Sequence, residues 1–252
     1  MSDVSRAERA LHHRAGWGCE AARAAGVPGR FGAWEQQGLL AVLATDPALG
    51  FLTTVSGVTR ETVPAAIDLM ASSAWRGTTP TVVTPAALGA AAEKRLLAAG
   101  LVRTGHRLLA ITRPAAAPVV QADLDVVAAG DDDAFVELLL GGYEVDGAVA
   151  AFIRAEHRLP AVRRFLAMAR GTPIAAAGLT IHGDVAVLGG ASTVRAQRGK
   201  GAQSLLLRHR LRVAAEAGCA LAVATARPGS VSAANLRRAG FALETRTTWT
   251  RS

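Results

Sequence analysis

Apolar positions change period along this chain, and the changes mark out its elements. Residues 5 to 25 carry apolar side chains at helical spacing. Short apolar runs near Gly38 to Ala44 and Gly50 to Val55 predict strands. Thr62 to Ala71 reads as a helix, with Pro64 in its first turn, where a missing N–H is no loss. A short strand at Thr81-Val82-Val83-Thr84 follows, then a helix from Pro85 to Ala99 closed by Gly100, then a strand from Val102 to Ile111. The stretch Thr112-Arg113-Pro114-Ala115-Ala116-Ala117-Pro118 has neither period and reads as a linker.

Beyond the linker the pattern is longer. A strand is expected near Val119 to Val127, and Asp131-Asp132-Asp133 caps a helix that runs through Leu140. A second helix covers Asp146 to His157. Three strands, Arg163 to Ala169, Pro173 to Ile181 and Val185 to Gly190, are separated by the turns Arg170-Gly171 and His182-Gly183-Asp184. A glycine-rich loop leads into a helix ending at Gly218, a strand at Ala220 to Ala224, the loop Arg227-Pro228-Gly229-Ser230, a short helix and a final strand. Leu96-Leu97-Ala98-Ala99-Gly100-Leu101 parallels Leu236-Arg237-Arg238-Ala239-Gly240-Phe241. The last four elements of each half therefore read as an internal repeat, and two domains are expected, at residues 1–113 and 118–252.

Composition removes several function classes. The 252 residues are half hydrophobic, enough for a sizeable core, and the net charge is +8. Basic chains bind nucleic acid, membranes or acidic ligands. Here the charge is scattered arginine, Lys94 and Lys200 are the only lysines, and no run of five basic residues occurs, so no nucleic-acid partner is expected. The excess of arginine, alanine and glycine is read first as the mark of a GC-rich genome. Cys19 and Cys219 form no metal-ligand spacing, and the six histidines include no His-x-x-x-His pair, so no metal is expected. The first residues are too charged for a signal peptide, and no stretch is apolar enough for a membrane span. The expectation is a cytoplasmic protein without a membrane partner.

The chemistry concentrates in Arg198-Gly199-Lys200-Gly201-Ala202-Gln203. An apolar run, Val185-Ala186-Val187-Leu188, precedes it, and the helical stretch Ser204-Leu205-Leu206-Leu207 follows. Strand, glycine turn and helix start make an anion site. Glycines let backbone N–H groups approach a phosphate, and a helix N-terminus adds partial positive charge. Arg195, Arg198 and Lys200 add full charges. The spacing is not that of a Walker loop, and Ser204 stands where a dinucleotide fingerprint needs its third glycine.

This loop resembles the acetyl-CoA loop of the GNAT superfamily of N-acetyltransferases, Arg/Gln-x-x-Gly-x-Gly/Ala, with Gln203 in place of the last small residue. The Gly240-Phe241 pair closing a short helix before a final strand is similar to the last third of that fold. The resemblance covers most of the second half. It implies an α/β (α+β) fold with a mixed, mostly antiparallel central sheet flanked by helices, in two copies, the first degenerate. Its turn Ser56-Gly57-Val58-Thr59-Arg60 has one glycine and little charge and is not expected to hold CoA.

The resemblance further implies acetyl-CoA as co-substrate, held by Arg198, Gly199, Lys200, Gly201, Ala202, Gln203 and Ser204. Ser192-Thr193-Val194 would pair with the pantetheine arm where two parallel strands splay; Gly189-Gly190 alternatively reads as a plain bulge. Asn235 would reach the pantetheine or else lie in solvent. The acceptor is expected to be a primary amine on a small molecule. A protein or peptide amine, or a non-catalytic acyl-CoA-binding module, are the alternatives, with the chain a monomer or homodimer. Many members of the superfamily carry a tyrosine general acid four residues before the closing glycine; here that position is Leu236. Tyr143, the only tyrosine, is the catalytic candidate, with Glu144 and Asp146 beside it to attract a cationic amine. His209 reads as a core histidine, and His182, in a turn, as exposed.

Overall fold

The computed structural model describes residues 1–115, 123–130 and 132–252, and only the backbone of Asp132. One sheet of eleven strands runs through the whole chain, with the spatial order β1-β2-β3-β4-β11-β5-β10-β9-β8-β7-β6. The first half contributes α1 (Asp3–Ala24), β1 (Phe31–Gln36), β2 (Leu39–Ala44), β3 (Thr54–Ser56), α2 (Val63–Ala71), β4 (Thr81–Pro85), α3 (Ala90–Ala98) and β5 (Leu101–Thr112). The second contributes β6 (Asp125–Ala128), α4 (Asp132–Tyr143), α5 (Gly147–His157), β7 (Arg163–Ala169), β8 (Thr172–His182), β9 (Val185–Thr193), α6 (Ala202–Glu216), β10 (Leu221–Ala226), α7 (Val231–Arg238) and β11 (Ala242–Arg251).

The order β1-β2-β3-α2-β4-α3-β5 is repeated by β7-β8-β9-α6-β10-α7-β11. The parallel pairings fall at matching places, β3 with β4 and β9 with β10, and the other neighbours pair antiparallel. The last strand of each half is inserted into the other: β5 lies between β10 and β11, and β11 between β4 and β5. Each half thus completes its neighbour's hydrogen-bond ladder, and no free edge remains where they meet.

Strand alternation sorts the helices onto two faces. On one face, α6 and α7 place Leu205, Leu206 and Leu236 against Ala110, Ala222 and Ala224. On the same face, α2 and α3 place Val63, Leu69 and Leu96 against Leu101 and Trp249. Leu243 and Trp249, an even number of residues apart on β11, join these two cores. The other face carries α1, α4 and α5. There α4 packs Phe135 and Leu139 against Ala176, while α1 reaches both halves. Its Ala7 and Ala10 lie on Val187, Leu221 and Val223, and its Cys19 and Ala22 lie on Phe31, Val42 and Phe152 of α5. Ser2 caps this helix by accepting from Ser5 N–H, and Asp3 complements its first turn.

Several expectations change in detail. Phe31–Gln36 forms β1, an edge strand whose outer positions are polar and so carry little apolar signal. Where a strand over Gly50 to Val55 was expected, Pro47–Leu52 is a 3-10 turn capped by Asp46, and only Thr54–Ser56 pairs. The helix expected from Pro85 begins at Ala90, after Gly89 at φ +98°. Thr112 belongs to β5, so the linker is shorter than its composition suggests; residues 116–118 of it, residues 119–122 of the next strand and the Asp131 cap lie outside the described residues. His182 is buried at the end of β8, not exposed in a turn. Its ring lies 4.3 Å from that of Trp17 on α1, its Nε2 is 3.0 Å from Thr180 Oγ1, and burial lowers its pKa to about 4.

Candidate active site

β9 pairs with β10 at Val185, Ala186 and Val187 and no further, although β9 continues to Thr193 and β10 to Ala226. The cause is visible on the other side of β9. Ala177 of β8 faces Ala191 and Gly178 faces Gly189, so Gly190 is an extra, bulged residue with φ +62°. A bulge sharpens the local twist and bends its strand away. Only glycine fits: its φ is left-handed, and a Cβ there would overlap the ring of His157. The bulge and the slot, alternatives on the sequence, are one feature.

Backbone alternation gives the slot its chemistry. Val194 N–H donates to Ile174 O across β8 (3.0 Å), so Thr193 and Ala191 turn their N–H and C=O groups the other way, into the slot. Ala191 N–H donates to the Tyr143 hydroxyl at 2.8 Å. The carbonyl of Thr193 accepts from Arg198 Nε at 3.3 Å. Ser192 points to the helical face, where its hydroxyl donates to Leu138 O and Gly142 packs closely on it. Tyr143 is 38% exposed, yet desolvation of its hydroxyl pushes the phenol pKa above the usual value.

After a 3-10 turn at Arg195–Gln197 the chain enters the glycine loop. Gly199 and Gly201 both hold left-handed φ, +81° and +84°, on either side of Lys200. Gly201 caps α6 without a side chain, and the first helical bond runs from Leu205 N to Gly201 O. The N–H groups of Ala202, Gln203 and Ser204 therefore have no intrahelical acceptor and face out of the helix start. Gln203 has a specific reason to be large. Its Nε2 donates to Ser192 O (2.7 Å) and Thr193 Oγ1 (2.9 Å), fastening the loop to the end of β9. Arg198 adds a second fastening through Gly142 O (2.8 Å) and Glu144 (3.1 Å). Lys200 reaches Gln197 at 2.7 Å. The loop, Ser192, Thr193, Val194 and Tyr143 are thus brought together. Asn235 accepts from Arg238 at 2.5 Å on α7, and Leu236 is core.

Behind the bulge, on the α1/α5 face, lies a buried charged group without local sequence signal. Arg14 Nε donates to Glu156 at 2.9 Å, and Arg14 Nη2 lies 3.4 Å from His157 Nε2. His157 Nδ1 faces Ile153 O at 3.0 Å and Glu156 Oε2 at 3.5 Å, both acceptors, so Nδ1 carries the proton and the ring is neutral. Burial lowers the His157 pKa, and it works to raise that of Glu156, but the Arg14 guanidinium overcomes it and holds the carboxyl below its usual range. From the opposite face Arg210 donates to Gly178 O at 3.0 Å; burial lowers its pKa to about 10, still a cation at neutral pH. His209 packs edge-on against Phe165 at 4.7 Å. A surface depression of about 270 Å³ lies between Met70, Trp75, Arg76 and Pro80 of the first half and Arg251 at the end of β11, and shares no residue with this site. Among the described residues no group of His, Cys, Asp or Glu is placed to hold a metal ion, and no helix is long and apolar enough to cross a membrane.

Residues 131–241 match the model of the acetyltransferase (GNAT) family. No curated protein matches the sequence. Among solved structures the chain is similar to a GCN5-related N-acetyltransferase from Kribbella flavida, with TM-score 0.61, 20% identity, and 91% of this chain and 94% of that one covered. It is also similar to a tandem GNAT protein from the clavulanic acid biosynthesis pathway, with TM-score 0.58, 16% identity, and 84% and 77% covered. An acetyltransferase of the GNAT family from Colwellia psychrerythraea gives TM-score 0.53, 16% identity, and 76% and 71% covered. At these identities the likeness is one of fold.

Proposed function

We propose, for a chain whose residues 131–241 form an acetyltransferase domain of the GNAT family, that it moves an acetyl group from acetyl-CoA to a primary amine of a small molecule. One observation carries the reading: β9 leaves β10 after Val187 and turns the N–H of Ala191 into a slot that ends at an open glycine turn. The residues fit the co-substrate. The unspent N–H groups of Ala202, Gln203 and Ser204, the turn at Gly199–Gly201 and the charge of Lys200 suit a pyrophosphate. The slot edges of Ala191 and Thr193 suit the amides of a pantetheine arm.

Acetyl-CoA supplies an activated acyl group as a thioester. Ala191 N–H, aimed into the slot by the bulge, donates to the Tyr143 hydroxyl at 2.8 Å and would polarise the thioester carbonyl once that hydroxyl yields its place. The Tyr143 hydroxyl stands at that N–H and, with its pKa raised by burial, is protonated at neutral pH, so it is the candidate proton donor to a leaving thiolate. Glu144 is spent on Arg198 and does not serve as an amine anchor.

The repeated element order supports the two-copy reading, with 1–113 a degenerate copy and 118–252 the transferring domain, joined by their exchanged strands. Two unpaired, buried cysteines suit a reducing, cytoplasmic setting. The test is an amine library mixed with protein and acetyl-CoA, read by thiol release. The expected result is release with at least one small amine. Binding without release for every amine would make the chain a non-catalytic acyl-CoA module, and release with peptide amines alone would move the acceptor to proteins.

A further inference from the structure

We propose that Arg14, carried on α1 of the first half, is a positioning residue of the acetyl-transfer site: it holds the Gly189–Gly190 bulge and supplies the positive charge that favours the oxyanion formed beside it. The inference rests on the acetyl-transfer reading above.

Arg14 lies 175 residues before the bulge, yet a Cβ on Gly189 would stand 2.7 Å from its guanidinium carbon. Gly190 stands against His157 in the same way, and His157 is held by Arg14 and Ile153. The bulge that aims Ala191 N–H into the slot is therefore backed by Arg14 and the partner it orients. Side chains at these two positions would push the backing away, which accounts for consecutive glycines in the interior of a strand.

The Arg14–Glu156 pair is oriented: Nε faces Glu156, while Nη1 is turned to Gly189. Arg210 is a second cation, on the opposite face, and His157 is neutral by its hydrogen bonds. Arg14 is 8% exposed, and its Nη1 has no hydrogen-bond partner among the described residues. A buried ion pair whose positive end faces the bulge gains where negative charge appears beside it. That place is the slot. When the amine nitrogen adds to the thioester carbon, the C=O electron pair moves to oxygen. When that pair returns, the C–S bond breaks, the thiolate leaves, and the amine nitrogen gives its proton to water. The positive end of the Arg14–Glu156 pair, behind the bulge, lowers the energy of the intermediate between these steps. It acts through the strand and touches no reacting atom.

The test compares turnover in the full-length chain with three substitutions. Arg14→Met leaves Glu156 buried without its partner, so Arg14→Met/Glu156→Gln removes both charges and keeps the volume, and Arg14→Lys keeps the charge. The double variant is expected to bind acetyl-CoA as the parent does by calorimetry, to keep its KM for acetyl-CoA, and to lose about tenfold or more in kcat, less than the loss of a direct oxyanion donor. Arg14→Lys should recover most of that loss. A folded double variant with parental kcat, an equal loss in CoA affinity, or Arg14→Lys falling as far as the neutral pair would each overturn the proposal. A parent chain that binds acetyl-CoA and releases no thiol with any amine would overturn the functional reading and this inference together. A parent that turns over while its variants match it would overturn this inference alone.

Discussion

After β3 the chain turns into α2 through Gly57, Val58, Thr59 and Arg60; after β9 it turns into α6 through Arg198, Gly199, Lys200 and Gly201. The two turns hold the same place in a repeated order, each following the first member of a parallel pair. In the first, Gly57 has φ +74°, but a Cβ on it would lie 2.7 Å from Gly38 O: the turn is packed against its neighbours. Val58 is buried, Thr59 N–H is spent on Thr62 Oγ1 at 2.8 Å, and Arg60 reaches back to Leu88 O at 2.8 Å. Glu8 of α1 is ion-paired with Arg246. In the second turn nothing lies within 4 Å of where a Cβ on Gly199 would be, and the first N–H groups of α6 are unspent. The same turn of fold becomes structural when its donors are satisfied from within, and a ligand site when they are left open.

The largest contrast is expected from the glycines. Gly201→Val places a β-branched residue at φ +84° where a phosphate would approach, and should lower acetyl-CoA affinity at least about a hundredfold by calorimetry while the far-UV spectrum stays native. Gly57→Ala should do the reverse. Backbone strain and a Cβ pressed on Gly38 O should cost about 2–3 kcal/mol in urea denaturation, with acetyl-CoA affinity unchanged in the folded protein.

A smaller contrast separates the two arginines. Arg198→Ala removes the ties to Thr193 O, Gly142 O and Glu144, and should weaken acetyl-CoA about tenfold, within the range of one charge-assisted hydrogen bond. Arg60→Ala should leave that affinity unchanged. Equal effects from the pair would show that the two turns are not distinguished as described.

Local signals account for what the sequence showed. The helical period of α1, the strands β7 to β10 and the glycines at 199 and 201 are written in neighbouring residues, so the loop that opens α6 could be placed from a few positions. β1 was not legible because its outer residues, Glu35 and Gln36, are polar. The exchange of β5 and β11 was not legible at all. Each strand has the same alternating pattern whichever half it pairs with, and pairing across the halves is decided by tertiary contact. Arg14, Glu156 and His157 were missed for the same reason, since an arginine in an N-terminal helix looks like any solvated one until the fold carries it to Gly189. His182 was misread because a His-Gly-Asp turn signals exposure, while Trp17 arrives from α1 to cover the ring.

The central claim is that one turn of the pair is open and the other is closed, and it is tested most directly by the stoichiometry of acetyl-CoA binding to the full-length chain in calorimetry. The account predicts one site per chain, lost in Gly201→Val. Two sites per chain, or one site that survives Gly201→Val, would contradict it.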